Sequence, residues 1–219
     1  MFPISRLHSH KSRPGLQGRA RDFSYTTLNS HRDIRMNFRR RDLMLALPAA
    51  LALSAAPARA AVDANTVYLD TKDGRITIEL RPDLAPKHVA QIKKLISQHF
   101  YDGIVFHRVI SGFMAQTGDP TGTGMGGSKL PDLKAEFTQT PFKRGTLGMA
   151  RASSPDSANS QFFICLGDSS FLNGQYTVFG EVTGGMDVVD KIKKGSESDN
   201  GKVDAPDKIV KMRLASDAK

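Results

Sequence analysis

The stretch Phe106-His107-Arg108-Val109-Ile110-Ser111-Gly112-Phe113-Met114-Ala115-Gln116 sets one cation a few residues ahead of an apolar pair, with an amide close behind. A strand running into Ser111-Gly112 and out again brings Arg108, Phe113, Met114 and Gln116 to a shared surface. Strand alternation places Phe106, Arg108 and Ile110 on one side and His107 and Val109 on the other. An arginine facing apolar neighbours has two readings. It is a stem packed on the core with its head in water, or a donor held in a partly dry pocket, where a hydrogen bond is stronger. Taken alone, the stretch favours the stem.

Upstream, Thr66-Val67-Tyr68-Leu69-Asp70 and Arg75-Ile76-Thr77-Ile78-Glu79-Leu80 are strand-like, and Asp73-Gly74 between them signals a hairpin. Pro86 suits the first turn of a helix. Val89, Ile92, Ile96 and Phe100, with Leu95 beside them, recur at helical spacing and leave Lys87, Lys93 and Lys94 for water. Downstream, Gly122, Gly124 and Gly127 match G-x-G-x-x-G, but Lys129-Leu130-Pro131-Asp132 breaks the helix that a dinucleotide fingerprint requires. A glycine-rich surface loop is the better reading. Short strands follow at Gly145-Thr146-Leu147-Gly148-Met149-Ala150, at Ser160-Gln161-Phe162-Phe163-Ile164-Cys165-Leu166 and at Tyr176-Thr177-Val178-Phe179-Gly180-Glu181-Val182. Met186, Val189 and Ile192 mark a second short helix, and Lys208-Ile209-Val210-Lys211-Met212-Arg213-Leu214 alternates as a last strand. Seven or eight short strands joined by turns predict a mainly β, antiparallel fold. We expect these strands to form a closed barrel, since closure removes exposed edges, with the two helices capping its ends.

The formal charge of +9 is unevenly placed. Residues 1–60 hold 11 Lys/Arg and 3 Asp/Glu, whereas residues 61–219 hold 20 and 19. The folded part is therefore near neutral, which argues against a nucleic-acid-binding face. Residues 1–35 are polar and basic without apolar periodicity, and read as a disordered or untranslated extension. Residues 36–60 read as a cleavable signal peptide. Arg39-Arg40-Arg41 forms a basic head, residues 43–56 an apolar run, and Ala58-Arg59-Ala60 a small-x-small site cut before Ala61. The run is shorter than the about 20 residues of a membrane span, so no stable membrane insertion is expected after cleavage. Arg40-Arg41 also resembles a twin-arginine signal. The expectation is an exported, periplasmic protein whose mature domain is residues 61–219.

Little covalent chemistry suggests itself. Cys165 is the sole cysteine and lies in an apolar strand, so no internal disulfide or cysteine-based zinc site is available. His88, His99 and His107 lack ligand-like spacing, and no G-x-S-x-G elbow is present. Neither metal nor cofactor is expected. What remains is an apolar set, Phe113, Met114, Phe163, Phe171 and Leu172, with Arg108, Gln116 and Gln161.

Phe106 to Ile110, Gly112 to Gln116 and Gly118-Asp119 resemble the cyclophilin signature. So do Gly124-Met125-Gly126-Gly127, Gly145 to Ala150, Ser160 to Ile164 and Val178-Phe179-Gly180, in order and spacing across nearly all of residues 64–215. Met149-Ala150-Arg151 and the short loops look most like exported bacterial members. The resemblance implies an eight-stranded barrel with two helices and peptidyl-prolyl cis–trans isomerase activity that assists protein folding. It implies Arg108 as the catalytic arginine, oriented by Gln116. Phe113, Met114, Phe163 and Leu172 would form the proline pocket, and Gly124, Ala150, Arg151, Ala152 and Gln161 would hold the flanking backbone. Phe171 stands where many eukaryotic members have tryptophan, and Tyr176 where they have histidine. Loss of the indole donor implies weak cyclosporin binding. The implied partners are proline-containing polypeptides, with no nucleic acid, and the protein is expected to be a monomer. A non-catalytic proline-peptide-binding chaperone module using the same groove is the alternative.

Overall fold

The computed structural model describes residues 64–218. The expectations for the extension, the signal peptide and its cleavage before Ala61 lie outside those residues. Strands Thr66–Thr71 (β1) and Gly74–Leu80 (β2) form an antiparallel hairpin in which Thr71 pairs with Gly74. Val67, Leu69, Ile76, Ile78 and Leu80 alternate onto its buried face, as a period of two requires. Helix Pro86–Ser97 (α1) starts on its proline, whose missing N–H costs nothing in a first turn. Ala85 supplies no side-chain cap. The Glu136 carboxylate takes that place from a distant loop, accepting the backbone N–H groups of Lys87 and His88 at 3.1 Å and facing His88 Nδ1 at 2.7 Å. The helix buries Val89, Ile92, Leu95 and Ile96. Phe100, assigned to the same periodic face, falls beyond its end and packs only partly buried against the core.

The remaining strands are Arg108–Ile110 (β3), Met114–Thr117 (β4), Thr146–Met149 (β5), Phe162–Cys165 (β6), Val178–Gly184 (β7) and Lys211–Leu214 (β8), with helix Met186–Lys191 (α2) after β7. All eight belong to one antiparallel sheet in the order β3-β4-β6-β5-β7-β2-β1-β8. Its inner face and the two helices enclose the main core, which includes Ile76, Ile92, Phe106, Val109, Leu147, Phe162, Ile164, Phe179 and Val189.

Two expectations are corrected here. The sheet is an open, curled half-barrel and not a closed barrel, because its edge strands β3 and β8 do not pair with each other. Residues 195–209 run along the gap and bond to it piecemeal, Val109 N–H donating to Gly201 O at 2.8 Å and Phe106 N–H to Asp207 O at 2.9 Å. Only isolated bridges result, Val105 with Lys208 and Arg108 with Lys202. Asn200, Gly201 and Ala205 have φ of 49°, 79° and 48°, and Pro206 has no N–H to donate, so a continuous ladder cannot form there. The second correction concerns Phe106, which lies in the inner core with Val109 and not on Arg108's side. Regular strand geometry begins only at Arg108, so alternation does not extend back through Phe106 and His107.

Candidate active site

One row of paired residues crosses the outer face of the sheet. Arg108 pairs with Gln116, Gln116 with Phe163, Phe163 with Gly148, and Gly148 with Val178. At about 4.8 Å between strands, Arg108 and Phe163 stand roughly 10 Å apart on one surface. The next row sets Ile110, Met114 and Cys165 beside it. Met114, Phe142, Phe163, Cys165, Leu172 and Val178 form a second, smaller core under this face, with Phe113, Ala150 and Tyr176 packed against it. Gly148 is required for close approach. A Cβ there would lie 2.4 Å from the Phe163 ring and 2.6 Å from the Phe142 ring, and those two rings stack with centroids 5.8 Å apart.

A cavity of about 480 Å³ opens above this core. Of the residues expected at the site, Arg108, Phe113, Met114, Gln116, Gly124, Ala150, Arg151, Phe163, Leu172 and Tyr176 line it. Gln161 and Ala152 line an adjoining cavity of about 560 Å³ that shares Gln116, Gly124, Ala150 and Arg151 with the first. Phe171 lines neither and is 63% exposed. Its ring leans on Phe113, centroids 5.2 Å apart, so its contact with the cavity is through that neighbour.

A chain of hydrogen bonds fixes the polar side. Arg108 Nη1 donates to Gln116 Oε1 at 3.2 Å, Gln116 Nε2 to Gln161 Oε1 at 2.9 Å, and Gln161 Nε2 to the carbonyls of Gly124 and Gly126 at 3.0 and 2.8 Å. Asn200 holds the other edge of the guanidinium. Its carbonyl accepts from Nε and its Oδ1 from Nη2, both at 2.9 Å. Three of the five guanidinium N–H groups are thereby occupied, leaving one on each terminal nitrogen. Burial pulls the Arg108 pKa down, yet a guanidinium stays charged in proteins.

The glycine-rich loop between the two cavities is organised around buried Asp119. Its Oδ2 accepts the N–H groups of Gly124 at 2.6 Å and Gly126 at 3.1 Å, and its Oδ1 accepts the Thr121 N–H at 2.8 Å. Burial raises the Asp119 pKa, but these bonds and the Thr121 hydroxyl outweigh it and hold the carboxyl below its usual range. A Cβ on Gly124 would stand 3.5 Å from the His107 ring. His107 lines the cavity too, and neither of its buried ring nitrogens has a partner. Burial lowers its pKa, with Arg108 adding to the effect and Asp119 opposing it.

His107, Thr123, Asp199, Asn200 and Lys202 line the cavity without having been singled out from the sequence as site residues. The Asn200-Gly201 pair is a recognisable turn signal. Nothing local ties it to Arg108, 92 positions away. Among the described residues, no group of three His, Cys, Asp or Glu is arranged to hold a metal ion. Cys165 is buried with its thiol pushed up to about 11, first by desolvation.

The site sets fixed donors beside an apolar socket on the outer face of an antiparallel half-barrel. Residues 66–214 match the family described as cyclophilin-type peptidyl-prolyl cis-trans isomerase/CLD. The chain belongs to that family and is a peptidyl-prolyl cis-trans isomerase. It is 56% identical over 196 residues to "Probable peptidyl-prolyl cis-trans isomerase" of Brucella suis, covering 84% of this chain and 100% of that one. It is 44% identical over 138 residues to a peptidyl-prolyl cis-trans isomerase of Helicobacter pylori, covering 60% of this chain and 84% of that one. Among solved structures, cyclophilin AquaCyp293 from Hirschia baltica aligns with a TM-score of 0.63 at 28% identity, over 76% of this chain and 82% of that one. A cyclophilin-type isomerase of Cryptosporidium parvum, crystallised in the presence of the dipeptide Ala-Pro, aligns with a TM-score of 0.63 at 30% identity, over 68% of this chain and 98% of that one.

Proposed function

We propose that this isomerase accelerates rotation about Xaa-Pro bonds in exported proteins and so assists their folding. Arg108 is the catalytic residue, and Gln116 and Asn200 position it. The reading is carried by one observation: the Arg108 guanidinium and the Phe113, Met114, Phe163 and Leu172 side chains line the same cavity on the same face of the sheet. Rotation about a peptide bond is slow because amide resonance must be broken, a barrier of ~18–20 kcal/mol in ordinary peptides. In the twisted state the prolyl nitrogen becomes pyramidal and regains its lone pair. A donor aimed there stabilises that state more than either planar isomer. The two free N–H groups of Arg108 are suited to this task, because the guanidinium is already clamped and need not reorganise. The ring is seated on Met114, Phe163 and Leu172. Gly124, Ala150, Arg151, Ala152 and Gln161 hold the flanking peptide, and the cavity wall of Tyr176 and Phe113, backed by Phe171, excludes water.

One charge-assisted donor in such a site supplies about 3–4 kcal/mol. Arg108→Ala is therefore expected to lower turnover by about 10²–10³-fold with little change in peptide affinity, measured by a protease-coupled proline-peptide assay and by calorimetry. Near-normal turnover in that variant sinks the mechanism. If turnover is lost while protection of unfolding clients survives, a chaperone role of the groove stands beside the isomerase. Export by the 36–60 signal is supported by its basic, apolar and Ala58-Arg59-Ala60 segments. Intact-mass analysis of the secreted protein is expected to give an N-terminus at Ala61, and one at Met1 or Met36 overturns cleavage.

A further inference from the structure

The described domain carries six arginines, and they divide cleanly. Arg75 and Arg213 share Asp70, Arg81 pairs with Asp83, and Arg144 pairs with Asp190. The other two, Arg108 and Arg151, are those that line the cavity, and neither has a carboxylate partner. Arg108 bonds only to Asn200 and Gln116. Arg151 donates to the carbonyls of Ala152 at 3.0 Å, Ser153 at 3.3 Å and Gln175 at 3.2 Å, and its guanidinium lies 4.5 Å from the centre of the Tyr176 ring. Lys202, on the same cavity, has no carboxylate within 4.0 Å among the described residues. Against these three cations the cavity lining offers one carboxylate, Asp199.

The contrast has a physical consequence. Elsewhere each guanidinium has a carboxylate partner, Arg75 and Arg213 sharing one, and residues 61–219 as a whole are near charge balance. At the mouth of the cavity the positive charge is left uncompensated, beside apolar walls that weaken solvent screening. Carbonyl and ring contacts fix the orientation of Arg151 without cancelling its charge. It also borders both cavities, so its charge reaches beyond the socket lined by Met114, Phe163 and Leu172.

We propose that the site selects proline peptides that carry a carboxylate side chain beside the proline, with Arg151 and Lys202 as the residues that determine this preference. The proposal rests on the isomerase reading above and deepens it. Arg108 adds to the field, but its donors are committed to the prolyl nitrogen. Arg151 and Lys202 have no such duty, and each is free to meet an Asp or Glu side chain on its own side of the bound peptide. A lysine at those places meets like charge, which costs affinity by as much as the carboxylate gains.

The test uses the full chain and two matched sets of tetrapeptides, with Glu, Ala or Lys placed immediately before or immediately after the proline. Isomerisation is followed by exchange NMR, so that no protease preference enters. In low salt the kcat/KM for the better Glu peptide is expected to exceed that for its Lys counterpart by about tenfold, since partly exposed pairs contribute up to about fivefold each. Raising the ionic strength to about 0.5 M is expected to shrink the ratio several-fold. Arg151→Gln and Lys202→Gln should each reduce the Glu-to-Lys ratio within the same variant, a readout that a general loss of fold or activity does not mimic. A Glu-to-Lys ratio below about two in the unaltered protein at low salt overturns the proposal, whatever the variants do. A ratio that survives both substitutions overturns the assignment to Arg151 and Lys202. Absence of turnover on the Ala peptide strikes at the isomerase reading instead, so the two failures are told apart.

Discussion

The inner and outer faces of the sheet are built from alternate residues of the same strands, yet they serve opposite ends. On β6, Phe162 and Ile164 point into the enclosed core while Phe163 and Cys165 point into the smaller core under the cavity. On β4, Ala115 points inward and Met114 and Gln116 outward. The inner face is closed over by α1 and α2, and its rings meet edge to face, Phe162 with Tyr101 and with Phe179 at 5.6 and 5.8 Å. The outer face has no such cover. Its apolar residues stop at a cavity, and its polar ones are tied to each other across strands. An apolar surface left open beside fixed donors gives up burial that the fold could have used, in return for a place where a proline ring can be buried instead.

The contrast predicts that residues adjacent on one strand but on opposite faces fail differently. The largest effect is expected for Phe162→Ala, which empties the closed core and should cost about 3–5 kcal/mol of stability. Its activity per folded molecule should stay within a few-fold of normal, because Phe162 does not line the cavity. Urea unfolding monitored beside isomerase activity separates the two. An inner-face variant with normal stability and abolished turnover would show that the faces are not independent.

Gly148→Ala is expected to lower stability and binding together. The added methyl has no space against Phe163 and Phe142, and overpacking of this kind costs about 1–3 kcal/mol. Because the displaced ring is the floor of the socket, KM for proline peptides should rise together with the loss of stability. Unchanged KM in a destabilised Gly148→Ala protein would mean that the Phe163 ring position is not what seats the proline.

A smaller effect is expected at Asn200, whose side chain and carbonyl clamp Arg108 from outside the sheet. Asn200→Gly keeps the left-handed turn and the carbonyl but deletes Oδ1. One charged hydrogen bond of about 1.5–3 kcal/mol is lost, partly made up by water. Turnover should fall about tenfold, with KM almost unmoved. Equal falls in affinity and turnover would assign Asn200 to peptide binding and not to the aim of Arg108.

Local signals account for what could be read in the chain beforehand. Asp73-Gly74 lies at the hairpin, Pro86 opens α1, and the apolar runs around Leu147, Phe163 and Phe179 become strands, because each of these depends on neighbours in sequence. Arg108, Phe113, Met114 and Gln116 were legible as residues of one surface because a two-strand turn joins them within eight positions. The clamp by Asn200 was not, since only tertiary folding brings that turn to β3. The open edge is hidden in the sequence for a related reason. The alternation at Lys208 to Leu214 looks like one strand, but the φ values of Asn200, Gly201 and Ala205 and the proline at 206 decide where pairing starts. β8 therefore begins only at Lys211. Phe171 resembles a pocket residue by position, whereas in three dimensions it supports Phe113 from the rim.

The smallest effect expected is a pH dependence, and it tests whether the cavity wall is as dry as its geometry implies. His107 is buried beside Arg108 with both ring nitrogens unpartnered, and burial holds its pKa below the ordinary imidazole value of 6.5. An unfolded chain therefore binds a proton at His107 more readily than the folded one. Stability from this residue is fully present above about pH 6.5 and declines as the pH falls through the interval between the unfolded and folded values. The depressed carboxylates Asp119 and Glu136 act lower, their contribution being present above the ordinary carboxylate range and lost as pH falls through their own folded values. Two acid limbs should thus be resolved in denaturant midpoints taken from pH 8 to pH 3, a shallow one just below pH 6.5 and a steeper one in the carboxylate range. His107→Gln should flatten the upper limb alone, because glutamine keeps a polar group in the wall but cannot take up the proton. An upper limb unchanged in that variant would place the titrating group elsewhere. Imidazolium would then be tolerated under the glycine-rich loop, and the outer face would be wetter at its rim than the burial of His107 implies.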